Sequence, residues 1–488
     1  MATGRNYIKR GIRYFKKNGL AKTGIKAIER IRNDIDEKDY VPFHACEADL
    51  AKQRAHVFEH PYMISIIVPV YETDPALLRK MLDSVGDQTY GNWEIVLADA
   101  SSDDSRRNVV LDFIEEYNLM CSDRFGNLHE KISYVHIGAN KGISGNSNEA
   151  LFRAKGDYIG LLDHDDILEN TALFDIMSEI ESFENNSRNS DEIKKVMAVY
   201  TDEDKISADG TVYFDPHYKP DYDPVLLCTN NYICHFFAAE AELMKGTGGF
   251  RSEYDGAQDH DLILRCLEGV RRECILHVPK VLYHWRSTAN STAENPDSKL
   301  YAYEAGKRAA QEHFKREGIG AKLSDSPHLG FFEIKYDTLH RSVDSITPEK
   351  WRKIKENEEQ LPDSEFILIL SSDLTPLDAD YIKDMMSCMN LPYVGAVTGK
   401  IIGRGGKVES AGFDIDENGA PVPRFAGLGR NFSGYKHRAN LDQLVSAYSP
   451  DCVLLRKEAI AASDGSMALK DGYDIYYKPE AVFKRKAK

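Results

Sequence analysis

The stretch that decides the fold is YIGLLDHDD, which runs from Tyr158 to Asp166. Its first five residues carry no charge, as expected of a strand that is buried on both faces of a sheet. Asp163 and Asp165 follow where the strand ends, and Asp166 stands where it can cap a following helix. Carboxylates spaced this closely on a turn can direct their oxygens at one hard cation, Mg²⁺ or Mn²⁺. The stretch therefore predicts a strand that ends in a divalent-metal site.

Three more strands are predicted upstream, at residues 64–70, 93–98 and 132–137, and helical stretches separate them. The first helix opens with Asp74 as its cap and Pro75 in its first turn. Strands and helices that alternate at these lengths predict an α/β fold with a doubly wound, mainly parallel sheet.

Polar residues follow the predicted strands, where each strand ends. They are Tyr71, Asp99, Asn140 and Asp163. In open α/β sheets, ligands bind at the edge formed by the carboxyl ends of the strands. Any one of these side chains can instead cap the next helix. Four in succession favour a ligand site.

A second acidic motif, GAQDHD at residues 256–261, stands directly before the apolar start of a helix. Asp259 can serve as the general base that an acceptor hydroxyl needs at neutral pH. Asp261 and Arg265, on the same predicted helix, are weaker candidates for contacts with an acceptor or a diphosphate. The alternative is that both carboxylates only stabilise the helix N-terminus.

The segment YHWR at residues 283–286 follows a short predicted strand. His284 is a candidate metal ligand, although a single histidine is more often only hydrogen-bonded. Trp285 and Arg286 are weaker candidates for acceptor or diphosphate contacts. Tyr218 and Tyr232, upstream, can stack on a sugar face or belong to the core.

The bulk properties exclude some classes of function. A formal charge of -16 over 488 residues argues against a nucleic-acid partner. The eight cysteines form no C-x-x-C pair, which favours reduced thiols in a cytoplasmic protein. No apolar stretch reaches the length of a membrane span. Residues 5–32 carry ten Lys or Arg against one Glu, so this helix either binds an anionic membrane surface or packs on its own acidic domain.

These motifs, in this order, resemble the inverting family 2 glycosyltransferases with the GT-A fold, as found in the synthesis of bacterial O-antigen, capsule and rhamnan. The segment LADASSD at residues 97–103 resembles the family's V-D-D-G-S-T-D, and residues 140–148 resemble its N-x-G-x-S-x-x-x-N loop. The resemblance implies Asp259 as the base and Asp165 with His284 as ligands of Mn²⁺ or Mg²⁺. It implies these donor-binding residues: Pro69, Val70, Tyr71, Glu72, Asp99, Asn140, Gly142, Asp163 and His164.

The second half of the chain echoes the first. Residues 366–373 resemble residues 158–165, residues 452–459 resemble residues 234–241, and residues 478–486 resemble residues 278–286. Ser371 replaces Asp163, and nothing corresponds to Asp259. We therefore predict a basic N-terminal segment (1–60), a GT-A catalytic domain (61–325) and a degenerate, non-catalytic GT-A-like domain (326–488).

The function expected from the resemblance is metal-dependent, inverting transfer of a sugar from a dTDP-rhamnose or UDP-hexose donor to a glycan hydroxyl. The implied acceptor is a polyprenyl-diphosphate-linked glycan at the inner face of the plasma membrane, where the protein would be peripheral. A homo-oligomer is compatible with the sequence. The alternatives are a non-catalytic glycan-binding scaffold and a glycoside hydrolase, which also uses paired carboxylates.

Overall fold

The computed structural model describes residues 40–125, 131–187, 194–287, 300–356, 358–460 and 469–486. The chain forms two compact units, one of Asp39–Tyr222 with Asn231–His313 and the other containing Asp223–Asn230 with Phe314–Lys488. The predicted catalytic domain overlaps the first unit, and the predicted degenerate domain overlaps the second. The basic segment of residues 5–32 lies outside the described residues.

The elements as far as residue 316 are, in chain order, α1 (Glu47–Ala55), β1 (Ile64–Val70), α2 (Pro75–Gly86), β2 (Trp93–Asp99), α3 (Ser105–Phe125), β3 (Ile132–His136), α4 (Gly142–Leu151), β4 (Tyr158–Leu161), β5 (Ile167–Leu168), α5 (Ala172–Ser187), β6 (Ala198–Ser207), β7 (Tyr213–His217), α6 (Pro224–Thr229), β8 (Phe237–Glu240), α7 (Ala241–Gly246), α8 (Gln258–Leu267), β9 (Ile275–Ser287) and α9 (Leu300–Arg316). Helix α6 belongs to the second unit. Two 3₁₀ turns span Ser252–Tyr254 and Arg272–Cys274.

The first unit contains a nine-stranded sheet in the order β3-β2-β1-β4-β8-β6-β9-β5, with β7 paired to β6. Strands β3, β2, β1 and β4 are parallel, as predicted, and the α/β fold class is confirmed. Beyond β4 the sheet is mixed, because β8 runs antiparallel to both of its neighbours. The four parallel strands place their carboxyl ends at one edge of the sheet.

The first strand and helix form for the predicted reasons. Six of the seven β1 residues are buried, and the strand lies between β2 and β4. The Asp74 side chain caps α2 by accepting a hydrogen bond from the Ala76 amide at 2.8 Å. Leu78 and Met81 on the buried face of α2 join the core over the sheet.

One glycine allows close packing beneath Asp163-His164-Asp165, the D-x-D segment. A Cβ at Gly160 in β4 would lie 2.3 Å from the Phe236 ring. Only glycine therefore lets this ring pack against the strand that carries Asp163.

The later elements are β10 (Ala321–Asp325), β11 (Phe332–Tyr336), β12 (Val343–Ile346), α10 (Pro348–Lys355), β13 (Phe366–Leu370), β14 (Leu374–Pro376), α11 (Tyr381–Cys388), β15 (Val394–Ile402), β16 (Val408–Ser410), β17 (Phe413–Ile415), β18 (Pro421–Pro423), β19 (Gln443–Val445), β20 (Cys452–Arg456) and β21 (Asp474–Arg485). The 3₁₀ segments there are Tyr435–Asn440 and Lys457–Ala459.

The second unit repeats part of the first unit's sheet. Its main sheet has the order β12-β13-β20-β15-β21-β14, and the corresponding order in the first unit is β1-β4-β8-β6-β9-β5. Each neighbouring pair has the same direction in both sheets, parallel for β12 with β13 and for β15 with β21 and antiparallel for the others. In the described part of this sheet no strand corresponds to β2 or β3. The incomplete GT-A-like copy is thus confirmed in its strand order.

None of the helices in the described ranges combines the length and the apolar character needed to cross a membrane.

Candidate active site

Asp99 and Tyr71 lie at the carboxyl edge of the sheet, as predicted. Asp99 is fully buried, and its oxygens accept hydrogen bonds from the Ser101 amide at 2.8 Å and the Tyr134 hydroxyl at 2.6 Å. Tyr71, directly after β1, is 48% exposed. The structure thus offers an open aromatic ring beside a carboxylate that its neighbours hold in place.

Glu72 ties the loops after β1 and β2 together. Its amide donates to the Ser101 hydroxyl at 2.9 Å, and its carboxylate accepts from the Ser102 amide at 2.9 Å. Arg106 lies 3.3 Å from the same carboxylate and donates to the Thr73 carbonyl at 2.8 Å. The sequence pattern did not single out Arg106, because its partners follow a different strand. Pro69 and Val70 contribute backbone to this edge, where the Val70 carbonyl accepts from the Ala100 amide at 2.9 Å.

The loop that begins at Asn140 is held by its own side chains. The side-chain oxygen of Asn140 accepts from the Gly142 backbone amide at 2.9 Å and from the Asn146 side-chain amide at 3.1 Å. Gly142 has a φ of +78°, and a Cβ there would lie 2.8 Å from the Asp255 carboxylate. Asp255 also accepts from the Ser144 amide at 3.3 Å. This loop is therefore fastened to the chain that leads into α8 and Asp259.

The D-x-D segment crowds three carboxylates at the end of β4. Burial raises the pKa of Asp165, and the charge of Asp163 adds to this effect while His164 opposes it. Asp165 keeps a quarter of its side chain exposed. Its backbone carbonyl accepts from Arg286 Nε at 2.7 Å. Such a cluster of carboxylates is electrostatically costly until a cation neutralises it.

Asp166 is not a helix cap, and that interpretation is wrong. Strand β5 follows it directly, and α5 begins only at Ala172. Its buried carboxylate accepts from the Tyr283 hydroxyl at 2.5 Å and from the Arg286 amide at 2.7 Å. Asp166 thus joins the D-x-D turn to β9.

Arg286 is fully buried behind this turn. Besides the Asp165 carbonyl, it donates to the Ser207 and Ala208 carbonyls, each at 3.3 Å. Its second terminal nitrogen, Nη2, has no hydrogen-bond partner in the described residues. An unsatisfied buried guanidinium nitrogen is costly and is consistent with an anionic ligand.

The His284 ring lies between the carboxylates of Asp204 and Glu169, neither of which belongs to the D-x-D segment. Its Nδ1 is 2.6 Å from Asp204, and its Nε2 is 3.4 Å from Glu169. Burial opposes the charged ring, but the two hydrogen bonds outweigh this and raise the pKa of His284 to about 9. Tyr40 and His44 also reach these carboxylates, at 2.7 and 2.8 Å. Carboxylate oxygens thus face both ring nitrogens, so this geometry does not present a nitrogen to a cation at the D-x-D segment, and the metal role of His284 stays a prediction.

Asp259 is the second residue of α8 and is partly exposed. Its Oδ2 accepts from the Asn231 side-chain amide at 2.8 Å and lies 3.9 Å from the Cys234 thiol. Burial raises the pKa of that thiol well above its usual value, and the charges of Glu203, Asp259 and Asp163 add to the shift. Cys234 therefore lies beside the candidate base. Sequence reasoning missed Asn231 and Cys234, since neither belongs to a motif.

Asp261 and Arg265 bind each other. Asp261 is fully buried, and Arg265 Nη2 lies 2.6 Å from it. Arg265 also donates to the Thr247 and Gly249 carbonyls, at 3.0 and 2.7 Å. This network accounts for both side chains without a ligand, so the geometry does not favour their predicted contact with an acceptor or diphosphate.

The aromatic candidates differ in exposure. Tyr218 is 49% exposed and can meet a sugar, whereas Tyr232 is 1% exposed and lies in the core. Trp285 is partly buried, with the Lys205 ammonium 5.6 Å from its ring centre and the His235 ring 5.9 Å away. Their contacts with an acceptor stay predictions.

The donor chemistry of the D-x-D turn fits an oxygen-bound divalent cation. Asp163 and the partly exposed Asp165 supply carboxylate oxygens, which Mg²⁺ and Mn²⁺ prefer. Across the described ranges, however, no three His, Cys, Asp or Glu side chains are grouped to hold a metal by themselves. A cation there would therefore depend on oxygens from water and from a bound diphosphate.

Part of the chain matches a known protein family. Residues 65–223, from β1 to the segment before α6, match the family described as Glycosyl transferase family 2. The chain carries a family 2 glycosyltransferase domain. The resemblance inferred from the motifs is thereby confirmed, and the strand order of the glycosyltransferase unit agrees with the GT-A fold.

Two curated relatives resemble most of this chain. It is 31% identical over 465 residues to the uncharacterized protein y4gI of Sinorhizobium fredii (strain NBRC 101917 / NGR234), which covers 83% of this chain and 49% of that protein. It is 26% identical over 463 residues to the O-antigen biosynthesis protein RfbC of Myxococcus xanthus, which covers 83% of this chain and 34% of that protein. The chain thus spans about half of the first relative and about a third of the second.

Among solved structures, S. aureus TarS 1–349 in complex with UDP-GlcNAc resembles 51% of this chain and 66% of that chain. The identity is 17% and the TM-score is 0.37.

Proposed function

We propose that this chain transfers a sugar from a nucleoside-diphosphate donor to a glycan hydroxyl, with inversion, during the synthesis of a cell-surface polysaccharide. One observation carries the proposal. The fully buried Arg286 donates to the Asp165 carbonyl at 2.7 Å and keeps its Nη2 without a hydrogen-bond partner in the described residues. An unsatisfied buried guanidinium nitrogen at this turn is suited to an anionic oxygen of a diphosphate.

The donor is assigned to the carboxyl edge of β1 to β4. Tyr71 and the loop after β2, which Glu72 and Asp99 brace, would hold the nucleotide base. The loop at Asn140 would bind the donor next to the D-x-D turn. The buried Nη2 of Arg286 would meet an anionic oxygen there, because it has no other partner in the described structure.

Asp259 is proposed to remove the proton from the acceptor hydroxyl. Asn231 donates to Oδ2 of Asp259, and the described residues place no donor on Oδ1. This arrangement leaves one oxygen to accept the proton while the other is held in position. A positioned base of this kind contributes about 10² to 10⁴-fold to a rate.

Asp165, with Asp163 beside it, would hold Mn²⁺ or Mg²⁺. When bound, such a cation stabilises the negative charge that builds on the leaving diphosphate. His284 is assigned to the second layer of this site, where it neutralises Asp204 and Glu169. The roles of Asp165 and His284 differ in this proposal, although the motifs assign both to the metal.

The wider setting is proposed by analogy. The donor would be dTDP-rhamnose or a UDP-hexose, and the acceptor a polyprenyl-diphosphate-linked glycan. The protein would act in the cytoplasm, peripherally at the inner face of the plasma membrane. The printed name of the Myxococcus xanthus relative, an O-antigen biosynthesis protein, supports this setting.

The test is a donor panel. The purified chain is incubated with UDP-, GDP- and dTDP-sugars, with Mn²⁺ or with a chelator, and nucleotide release is measured. We expect one donor class to release nucleotide, with strong loss in the chelator. Calorimetry that detects no binding of UDP, GDP or dTDP in the presence of Mn²⁺ would point instead to a glycan-binding scaffold.

A further inference from the structure

The second unit contains a cavity of about 530 Å³ that the sugar-transfer proposal does not use. Two loops and the ends of β15 and β21 form its walls. The lining residues are Ile402, Gly405, Gly406, Gly429, Arg430, Asn431, Phe432 and Lys484. The volume lies in the range of small-molecule sites, which is about 300–1,000 Å³.

Two cations in this cavity have no counter-charge. Arg430 and Lys484 are exposed, and neither side chain forms an ion pair or hydrogen bond with another described residue. The neighbouring Arg485 differs, because its guanidinium binds Asp373 at 2.8 Å, as well as Asp451 and Glu409. The acidic side chains close to the end of β21 are thus already paired with Arg485.

The remaining walls suit a sugar. A Cβ at Gly429 would lie 2.6 Å from the Phe432 ring, so this ring packs directly over the glycine. Gly405 and Gly406 have φ values of +85° and +74° and no atoms near their absent side chains. An aromatic face can stack on a pyranose ring, and the Asn431 amide can bond hydroxyls.

The repeat shows how this cavity differs from the first unit. In the β15–β21 register Lys484 pairs with Ile402, and in the β6–β9 register His284 pairs with Asp204. The second copy has therefore replaced a carboxylate with an apolar side chain and its histidine with lysine. The first unit therefore has a histidine beside a carboxylate at this position, and the second unit has a positive charge without a carboxylate beside it.

We propose that this cavity binds an acidic sugar residue, one that carries a carboxylate or a phosphate. Arg430 can form two parallel hydrogen bonds with either oxyanion, and Lys484 adds a second positive charge. The chain as a whole has a formal charge of -16, so an anion needs such a local positive site to bind. The proposal does not depend on catalysis, since binding is measured directly.

The test is calorimetry on the full chain in low-salt buffer with three probes. They are a hexasaccharide of alternating glucuronate and N-acetylglucosamine, glucose 1-phosphate and neutral maltohexaose. The test variant is R430Q/K484Q, and the matched control is R404Q/K407Q. The control removes the same charge from exposed residues of the adjoining loop that do not line the cavity.

We expect at least one acidic probe to bind, the uronate if the site takes a carboxylate and the sugar phosphate if it takes a phosphate. Its affinity should fall about tenfold or more in R430Q/K484Q, stay within about twofold in the control, and fall when salt is added. Failure of both acidic probes to bind, equal binding of maltohexaose, or equal loss in both variants would overturn the proposal. Circular dichroism of both variants excludes unfolding as the cause.

Discussion

Replacing Asp261 with asparagine tests whether the start of α8 is held by a buried ionic network. Asp261 has no exposed side chain. It accepts from Arg265 Nε and Nη2 at 3.1 and 2.6 Å and from Arg251 Nε at 3.0 Å. The asparagine keeps the shape but removes the charge that balances two guanidinium groups.

The expected loss of unfolding free energy depends on the partners that Arg251 and Arg265 keep in the variant. Removing one partner of a buried ion pair costs about 3–5 kcal/mol. Arg251 is a quarter exposed and keeps Glu312 at 3.2 Å, so its charge stays partly balanced. Arg265 keeps two backbone carbonyls. We therefore expect the lower end, about 3 kcal/mol of unfolding free energy at neutral pH.

The pH dependence of this loss has a defined sign. Burial alone would raise the pKa of Asp261, but the hydrogen bonds and charges of Arg251 and Arg265 outweigh it and lower that pKa. A carboxylate with a lowered folded-state pKa stabilises the fold above its unfolded pKa, about 3.9, and loses this contribution as the pH falls through the folded value. The difference between wild type and D261N should therefore shrink below about pH 4.

The assay is urea-dependent hydrogen exchange of peptides from α8, which reports on this unit separately from the other. The control is Asp112→Asn, on the exposed face of α3, which should stay within about 0.5 kcal/mol. A D261N variant as stable as wild type at pH 7 would refute the network. A raised acceptor KM at unchanged stability would instead restore the predicted acceptor contact.

Three further predictions concern the same chain. Asn231→Ala should lower kcat about tenfold, with unchanged donor KM and melting temperature, because the hydrogen bond to the Asp259 carboxylate is lost. An unchanged kcat would show that Asn231 does not position the base. In native protein at pH 8, iodoacetamide should modify the exposed Cys46 well before Cys234 or Cys266. Burial raises the pKa of the Cys234 and Cys266 thiols, that of Cys266 to about 12, and a protonated thiol reacts slowly. Early modification of Cys234, detected by mass spectrometry of labelled peptides, would contradict this prediction. Asp373→Ala should transfer sugar at a rate within about twofold of wild type, since Asp373 pairs with Arg485 in the copy that lacks a base. Loss of activity in the folded variant would assign catalysis to that copy.

Much of the fold could be predicted because its signals are local. The apolar run at residues 64–70 and the Asp74-Pro75 start of α2 depend on neighbouring residues, and both formed as expected. The carboxyl-edge positions of Tyr71 and Asp99 follow from parallel pairing, which the helix-strand alternation already indicates. The repeat in the second half was also visible, because its strands keep their apolar runs.

The contacts that the sequence did not predict involve residues that lie far apart in the chain. The local pattern at Asp166 is typical of a helix cap, but Tyr283 and Arg286 on β9, far away in the chain, hold its carboxylate instead. The two carboxylates on His284 come from β6 and from the turn after β5, so no motif spacing contains them. Asn231 contacts Asp259 from outside either acidic motif.

The most direct test of the account compares Asp259→Asn with Asp112→Asn in single-turnover transfer from the donor that the panel identifies. We expect Asp259→Asn to slow transfer about 10² to 10⁴-fold and to leave donor affinity within about twofold, while Asp112→Asn transfers normally. Near-normal transfer by folded Asp259→Asn would contradict the assignment of the base and, with it, the proposed catalytic site.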